Sequence, residues 1–134
     1  TRFSITLRQG VDFVLSCIGR MHGGEIFVPK LPSYRILDVV AAIAPDAEVD
    51  VVGIRPGEKI HEVMVPVDEA WHTLQFEDHF VILPTQEWWR RSEEMQDKGG
   101  VPCPDGFSYE SGNNSEWLTL EQLRELVSAL DPSD

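Results

Sequence analysis

The stretch from Val49 to Glu62 constrains the local fold and the possible ligands of this chain more than any other part of its sequence. Its apolar start, Val49–Ile54, predicts a buried strand, and Pro56-Gly57 predicts a tight turn directly after it. The turn brings a guanidinium, Arg55, close to a carboxylate, Glu58. Arginine offers a rigid donor fork that suits phosphate oxygens, whereas an ionised carboxylate only accepts hydrogen bonds and so suits sugar hydroxyls. The pattern therefore suits a ligand with phosphates at one end and hydroxyls at the other.

A plainer interpretation of the same residues is a strand–turn–helix connection with charged ends. Gly and Pro are ordinary turn residues, so Arg-Pro-Gly-Glu alone does not separate a binding site from a turn. In this interpretation Arg55 and Glu58 form an internal salt bridge, and a short helix follows around Lys59 to Val63. Both interpretations stay open on these residues alone.

Length and composition indicate one small soluble domain. The chain has 134 residues, of which 42% are hydrophobic and 25% charged, so we expect a single domain over residues 1–134. No apolar run approaches the roughly 20 residues that a membrane span requires. The chain opens Thr1-Arg2-Phe3, with neither an initiator Met nor a signal-peptide pattern, which is typical of a chain cut from something longer.

Charge and cysteine content narrow the partners and the compartment. The formal net charge of −12 repels nucleic acid phosphates, so we expect no nucleic-acid partner. A small anionic ligand would need a local cluster of arginines to offset the acidic surface. Cys17 and Cys103 stand far apart and have no metal-ligand spacing. We expect both to be reduced thiols in a cytoplasmic protein.

Two capping-box patterns predict where helices begin. Thr6 with Gln9 predicts a helix that ends at Gly23-Gly24, and Thr119 with Gln122 predicts a second one. Ser33 is expected to cap a further helix that stops before Pro45. The expected buried faces are these: Leu7, Val11, Val14, Leu15 and Ile18 in the first helix, Ile36, Val39, Val40 and Ile43 in the second, and Leu120, Leu123, Leu126, Val127 and Leu130 in the last.

Strands are predicted between these helices. A short strand is expected over residues 25–28, and residues 74–76 and 79–83 should pair as a hairpin joined at Glu77-Asp78. Turn residues dominate residues 85–112, which we expect to be an irregular loop segment. The predicted fold class is α/β, close to α+β, with a small mixed sheet and three to four helices.

Several kinds of enzyme chemistry have no counterpart in this sequence. It contains no Gly-x-Gly-x-x-Gly fingerprint and no phosphate loop, and neither Tyr34 nor Tyr109 has a lysine four residues later. We therefore predict no catalytic, cofactor-binding or metal-ligating residue in this chain. His22 should interact with the last carbonyls of the first helix. The run Trp88-Trp89-Arg90-Arg91 is interpreted as a packed aromatic edge rather than a nucleic-acid patch, and His61-Glu62 lacks a second histidine at metal-site spacing.

Five separated segments resemble, in order, segments of the nucleotide-sugar 4,6-dehydratases. They are Thr1–Thr6, Gln9–Leu15, Met21–Lys30 with its Gly-Gly-Glu-Ile-Phe-Val-Pro-Lys, Gly53–Glu62 with its Gly-Ile-Arg-Pro-Gly-Glu-Lys-x-His-Glu, and Phe107–Leu118 with its Tyr-x-Ser and Trp-Leu. Each segment alone is weak evidence, but the ordered set is specific. The resemblance is strongest to the inverting UDP-N-acetylglucosamine 4,6-dehydratases of the extended short-chain dehydrogenase/reductase superfamily, which act in bacterial surface-polysaccharide and flagellin-sugar biosynthesis.

The resemblance covers only the carboxy-terminal, substrate-binding lobe of such enzymes. It implies a lobe without its Rossmann half, which carries the Tyr-x-x-x-Lys pair and binds NADP in the whole family member. This chain is therefore not expected to be active as a lyase alone. The implied partners are a UDP-sugar or UDP, together with the missing Rossmann half or further copies of the chain, because a lobe without its neighbour should expose an apolar surface.

Four residues carry the implied binding role. Arg55 matches an arginine that binds the diphosphate or nearby nucleotide atoms, and Glu58 matches a carboxylate that accepts from ribose hydroxyls. Arg2 matches an arginine that approaches the diphosphate from the other side, and Lys59 could add positive potential. The alternatives are an exposed chain end for Arg2, the internal salt bridge for Arg55 and Glu58, and plain solvation for Lys59.

Two other functions remain open at this point. The chain could be a free-standing, non-catalytic binding or oligomerisation module, or a truncated relic that folds without ligand affinity. Titration with UDP separates the relic from both binding functions.

Overall fold

The computed structural model describes residues 1–86, 89 and 92–129. These residues form two compact units. Unit 1 consists of Thr1–Ser4, Leu31–Glu62 and the chain from Ser111 onward, and unit 2 consists of Ile5–Lys30 and Val63–Glu110. The sequence predicts a single domain. That the two units behave as a single domain in solution stays a prediction.

The elements follow one another as short strands and short helices. In chain order they are β1 Arg2–Phe3, α1 Leu7–Ile18, β2 Ile26–Pro29, β3 Ser33–Tyr34, α2 Ile36–Ile43, β4 Val63–Val65, a 3₁₀ helix Val67–His72, β5 Thr73–Gln75, β6 His79–Ile82, α3 Ser92–Asp97, β7 Val101–Pro102, β8 Tyr109–Glu110 and α4 Leu120–Ala129. The fold is mixed α/β, with small antiparallel sheets and several helices, as the sequence predicts.

Unit 2 contains a four-stranded sheet and, among the described residues, most of the buried apolar side chains. The strand order is β2-β6-β5-β7, and all three pairings are antiparallel. Every residue of the central strand β6 is buried. Leu74, Val81, Leu83 and Met95 form a buried cluster, against which Phe27, Phe76 and Trp89 pack. The strands β4 and β8 pair separately with an irregular register.

Unit 1 combines a two-stranded pairing, a pair of packed helices and a network of buried hydrogen bonds. The strands β1 and β3 pair antiparallel, and α2 packs against α4. Ser33 is fully buried, and its backbone bonds to Glu116 and to Leu118. The Asn114 amide donates to the Leu31 carbonyl at 2.7 Å and to Ser33 Oγ at 3.0 Å. A polar network therefore closes this unit around Ser33 and Asn114.

Both predicted capping boxes are confirmed. Thr6 Oγ1 accepts from the Gln9 backbone N–H at 3.2 Å, and Gln9 Oε1 accepts from the Thr6 N–H at 2.9 Å. Thr119 and Gln122 make the same pair of bonds at 3.2 and 2.9 Å. Each box satisfies two of the backbone donors that a helix start leaves without partners.

The predicted hairpin is also confirmed, whereas the end of the first helix and the content of residues 85–112 differ from the prediction. The strands β5 and β6 pair across Glu77-Asp78, as the alternating pattern indicates. The helix α1 ends at Ile18 with Gly19 as its C-cap, before the expected Gly23-Gly24. Among the described residues of the range 85–112, α3, β7 and β8 are regular elements, so this range is not irregular throughout.

Three local predictions are wrong. Residues 49–54 form no strand, and Val51 is 91% exposed. An apolar run indicates burial but does not show whether a neighbouring strand is available to pair with it. Ser33 caps no helix, since its hydroxyl lies buried in β3 and Arg35 precedes α2 without a side-chain cap. The short helix expected around Lys59 is absent, and the chain bends there before β4 begins.

The predicted apolar helix faces are only partly buried. In α4, Leu123 is buried, Leu120 and Leu126 are both 37% exposed, and Leu130 lies outside the described residues. No residue of α1 or α2 is buried. Among the described residues, no helix has both the length and the apolar character needed to cross a membrane.

Candidate functional site

The Arg55–Glu58 turn forms as the sequence predicts. The Glu58 backbone N–H donates to the Arg55 carbonyl at 3.0 Å, which closes a four-residue turn. Pro56 has the fixed φ that favours the second position, and Gly57 has φ of 85°, a left-handed value that suits glycine at the third. This is the sequence signature of a type II turn. The turn exposes the side chains on either side of it.

The two charged side chains of this turn are paired only weakly. Glu58 Oε2 accepts from the Arg55 backbone N–H at 2.8 Å, which fixes the orientation of the carboxylate. Its Oε1 lies 4.0 Å from Arg55 Nε, and the two side chains are 78% and 47% exposed, Arg55 being the more exposed. Exposed pairs of this kind contribute about 0–1 kcal/mol. The internal salt bridge therefore exists, but it leaves the guanidinium accessible to a stronger anion.

Arg2 is held against the same segment by closer contacts. Its Nη1 donates to the Thr1 carbonyl at 2.6 Å and to the Ile60 carbonyl at 3.3 Å, and its Nε lies 3.6 Å from Glu62 Oε1. The side chain is 32% exposed, so it is not a free chain end. These contacts occupy Nε and Nη1, which leaves Nη2 as the group able to meet a ligand.

Lys59, the fourth predicted residue, is exposed directly after the turn. It brings a second cation to a segment that also carries the carboxylates of Glu58 and Glu62. The structure thus brings Arg2 to the segment that carries Arg55, Glu58 and Lys59, through Ile60 and Glu62. The binding roles of all four residues remain predictions.

A hydrogen-bond network behind this segment could not be foreseen from the sequence. Thr1 Oγ1 bonds to His61 Nδ1 and to Ser111 Oγ, both at 2.7 Å. Ser111 is fully buried, and its Oγ also accepts from the Glu62 N–H at 2.9 Å. The His61 ring lies so close to Gly112 that a Cβ there would approach it to 2.6 Å. The network fixes the end of the segment that Arg2 contacts.

Arg35 is another cation of unit 1 that the sequence did not single out. Its guanidinium lies 4.5 Å from the centre of the Trp117 ring and 3.8 Å from Asp38 Oδ2. Stacking on the indole and pairing with Asp38 give Arg35 a structural role. Only its basic character was visible in the sequence.

The predicted roles of the other singled-out residues change in the structure. His22 pairs with Glu25 at 3.2 Å and with Glu94 at 3.6 Å instead of capping α1. Burial by itself raises the pKa of Glu25, but hydrogen bonds from the N–H groups of Glu25, His22 and Gly23 and from the His22 ring lower it overall. Trp89 donates from Nε1 to the Gly23 carbonyl, whereas Trp88, Arg90 and Arg91 lie outside the described residues.

Both cysteines are free thiols, as expected. Burial raises the pKa of the Cys103 thiol, and the nearby Lys30 opposes this only partly. In the part of the chain that the structure describes, no group of three or more His, Cys, Asp or Glu side chains could hold a metal ion.

Comparison with known proteins assigns the family. Residues 1–84 match the family described as polysaccharide biosynthesis protein, which covers well over half of this chain. The chain belongs to the polysaccharide biosynthesis protein family. The matched range contains all four predicted binding residues and the turn that carries two of them, Arg55 and Glu58.

Individual relatives of this polysaccharide biosynthesis protein are UDP-sugar enzymes. This chain is 42% identical over 132 residues to an inverting UDP-N-acetylglucosamine 4,6-dehydratase of Campylobacter jejuni. The match covers 96% of this chain and 40% of the relative. It is 28% identical over 137 residues to a UDP-glucose 4-epimerase of Rickettsia massiliae, covering 98% of this chain and 39% of the relative. The chain therefore spans about two-fifths of the length of these relatives.

A solved structure supports the fold. The X-ray structure of Pen from Bacillus thuringiensis superposes with a TM-score of 0.70 at 22% sequence identity. The match covers 94% of this chain and 36% of the Pen chain. The predicted resemblance to a nucleotide-sugar dehydratase is thus confirmed in sequence, and the mixed α/β fold in structure.

Proposed function

We propose that this polysaccharide biosynthesis protein binds a UDP-sugar as the nucleotide-holding lobe of a UDP-N-acetylglucosamine 4,6-dehydratase-like protein. The observation that carries the proposal is the 42% identity to the Campylobacter jejuni dehydratase, which extends across 96% of this chain. The predicted binding residues lie inside the aligned family region. Surface-polysaccharide or flagellin-sugar biosynthesis in a bacterium is the process in which such a protein would act.

The relatives share a type of ligand but not a reaction. One is named as a 4,6-dehydratase and another as a 4-epimerase, and both names include a UDP-linked sugar. A region common to two different reactions is better suited to holding the shared UDP group than to performing either reaction. This agrees with the lack of a Tyr-x-x-x-Lys pair and a dinucleotide fingerprint in the chain. Catalysis and NADP binding would then require residues outside this chain.

The electrostatics of the turn favour a diphosphate over the existing ion pair. A diphosphate carries about two negative charges, and each charge-assisted hydrogen bond to it contributes roughly 1.5–3 kcal/mol. The exposed Arg55–Glu58 pair contributes less, so Arg55 can turn from Glu58 Oε1 toward phosphate oxygens. Arg2 Nη2 and Lys59 would add charge against the acidic background of −12.

Glu58 would serve the other end of the nucleotide. Its Oε2 is oriented by the Arg55 backbone N–H, and a carboxylate has about four acceptor positions. The positions left over can accept from ribose hydroxyls. Since UDP-sugars are soluble cytoplasmic metabolites, we place the protein in the cytoplasm.

Titration of the chain with UDP and with UDP-N-acetylglucosamine tests the proposal. Arg55→Ala should weaken binding by about tenfold or more, about 1.4 kcal/mol, because one charge-assisted contact is lost. Arg124→Ala is the matched control, since it removes an exposed arginine of unit 1 from the helix α4. Isothermal titration calorimetry measures all three proteins.

Unchanged affinity in Arg55→Ala would remove this residue from the site. No detectable binding of either nucleotide to the unmodified chain would instead favour the relic. Equal losses in Arg55→Ala and Arg124→Ala would mean that only the overall charge matters.

A second candidate function, an association module, is favoured by the apolar surface of α1. Leu7, Leu15 and Ile18 are 86%, 63% and 60% exposed, and patches of this kind mark association surfaces. We expect the chain to form homo-oligomers, or to pair with a Rossmann half where one is present. Size-exclusion chromatography with light scattering at high concentration measures this, and a clean monomer would contradict homo-oligomer formation.

A further inference from the structure

Unit 2 contains a cavity that the proposed UDP-sugar site does not use. Its volume is about 390 Å³, which falls within the range of small-ligand sites. It lies between the end of α1, the strand β2, the β5–β6 hairpin and the region of α3. The described residues that line it are Gly19, Arg20, Met21, His22, Phe27, Phe76, His79, Met95 and Lys98.

The charge of this lining is opposite to that of the whole chain. The chain has 23 acidic and 11 basic residues, yet the described lining has two cations, Arg20 and Lys98, and no carboxylate. Glu94 pairs with Lys98 at 2.9 Å, and Asp78 bonds to His79 at 2.6 Å. Neither of these carboxylates belongs to the described lining, so the formally charged side chains that face the cavity are both cations, and Glu94 and Asp78 offset part of their charge from outside the lining.

Arg20 is held in place by neutral groups. Its Nε donates to the Ser16 carbonyl at 3.3 Å, and its Nη1 lies 3.5 Å from His79 Nε2. Its Nη2 lies 3.9 Å from Cys17 Sγ, and the guanidinium lies 5.6 Å from the centre of the Phe27 ring. Within the described residues no carboxylate is within 4 Å of it. A half-buried guanidinium without such a partner is suited to bind an oxyanion.

Flat rings stand next to this cation. The rings of Phe76 and His79 are stacked, with centres 4.6 Å apart and planes within 5°. Phe27 also stacks on His79, with centres 5.9 Å apart. His79 is only 4% exposed, and its Nδ1–H can donate to Asp78, which fixes the ring and leaves Nε2 to accept from Arg20. Met95 adds a buried apolar wall.

We propose that this cavity is a second binding site, for a small organic anion whose carboxylate or phosphate is attached to a flat ring. Arg20 binds the oxyanion, Lys98 adds positive charge at the rim, and Phe27 and Phe76 contact the ring. The site lies wholly within unit 2, whereas the four residues of the proposed UDP-sugar site belong to unit 1. The two sites can therefore be tested separately.

Benzoate and phenyl phosphate are suitable probes, since they share a ring and differ in the anion. Titration into the whole chain should show one saturable site for at least one of them. Acetate and inorganic phosphate lack the ring and should bind about tenfold more weakly. Comparing benzoate with phenyl phosphate identifies which oxyanion the cavity prefers. Saturating UDP should leave the affinity unchanged, which separates this site from the UDP-sugar site.

Variants connect the binding to the cavity. Arg20→Gln should weaken binding of the preferred probe about tenfold or more. Lys98→Gln should weaken it less, because Lys98 is 53% exposed. Arg8→Gln is the matched control, since it removes an arginine of α1 that is 92% exposed.

Three results would overturn the proposal: no saturable binding of either probe, full affinity in Arg20→Gln, or an equal loss in Arg8→Gln. If Arg20→Gln fails to fold by circular dichroism, Arg20→Lys replaces it. Lysine keeps the positive charge but lacks the planar donor fork of arginine. Unchanged affinity in both Arg20→Lys and Lys98→Gln would therefore also overturn the proposal.

Discussion

The two units of this protein are stabilised in different ways. Among the described residues twelve apolar side chains are buried, and of these Leu123 alone belongs to unit 1, whereas the others, including Leu74 and Val81, belong to unit 2. Each unit also buries two polar side chains, Ser33 and Ser111 in unit 1 and Thr73 and His79 in unit 2, and those of unit 1 are fully inaccessible and hydrogen-bonded. The described part of unit 2 thus buries far more apolar surface, so hydrogen bonds of buried polar groups make up a larger share of what stabilises the described part of unit 1.

This difference separates the motif that identifies the family from the core that stabilises the chain. The Arg-Pro-Gly-Glu turn lies in the unit with the smaller described core, among apolar residues such as Val51 and Val52, which are 91% and 82% exposed. The motif that identifies the family therefore does not coincide with the part of the described chain that buries most apolar surface.

The largest expected effect breaks the core of unit 2. Leu74→Ala should lower the free energy of unfolding by about 2–5 kcal/mol, because it leaves a cavity in a cluster that is almost fully buried. Leu37→Ala is the control in unit 1, where this leucine of α2 is 61% exposed and its loss should cost under about 0.5 kcal/mol. Urea denaturation measures both. Similar losses would mean that the two units do not differ as described.

An intermediate effect is expected from the polar network of unit 1. Ser111→Ala should cost about 1–3 kcal/mol, because the Glu62 N–H and the Thr1 hydroxyl lose a buried partner. Ser115→Ala, at an exposed position of the same loop, should change the free energy of unfolding little. The same urea denaturation applies. Were Ser111→Ala as mild as Ser115→Ala, the network would not stabilise the unit.

The smallest effect concerns pH and the hairpin of unit 2. The hydrogen bond from His79 holds the pKa of Asp78 below its ordinary value despite partial burial. A lowered folded-state pKa gives stability that is complete above the unfolded value of about 3.9 and is lost as the pH falls through the folded value. Asp78→Asn should therefore be less stable than the unmodified chain at neutral pH, and this difference should shrink in acid.

Thermal unfolding from pH 7 down to pH 2 measures this difference. Glu77→Gln is the control, since it removes a neighbouring exposed charge from the same turn. The Asp78 side chain is 71% exposed, so solvent screening keeps the effect modest. A difference between Asp78→Asn and the unmodified chain that grows as the pH falls would contradict the stated sign.

Local features of the fold were predictable from the sequence. In each capping box, Thr6 with Gln9 and Thr119 with Gln122, the two residues exchange hydrogen bonds within four positions of the chain. Their geometry therefore does not depend on distant residues. The turn at Gly57 forms for the same reason, since proline and glycine limit the backbone there. The β5–β6 hairpin joins strands only a few residues apart.

Features that depend on distant partners were not predictable. Ser33 has the sequence pattern of a helix cap, but bonds to Asn114 and Glu116 draw it into a strand. The apolar run at 49–54 has the composition of a strand, but among the described residues the structure pairs it with no other strand. The Arg2–Glu62 pair connects residues 60 positions apart, for which the sequence contains no signal.

The sequence by itself determined the family, the helix starts, the hairpin and the Arg-Pro-Gly-Glu turn, because each depends on residue identity or on hydrogen bonds between near neighbours. Only the tertiary structure decided which apolar faces are buried, that Ser33 belongs to a strand, and that Arg20, Phe27 and His79 line one cavity. These outcomes depend on groups far apart in the chain, since burial and pairing are properties of the surroundings and not of the residue alone.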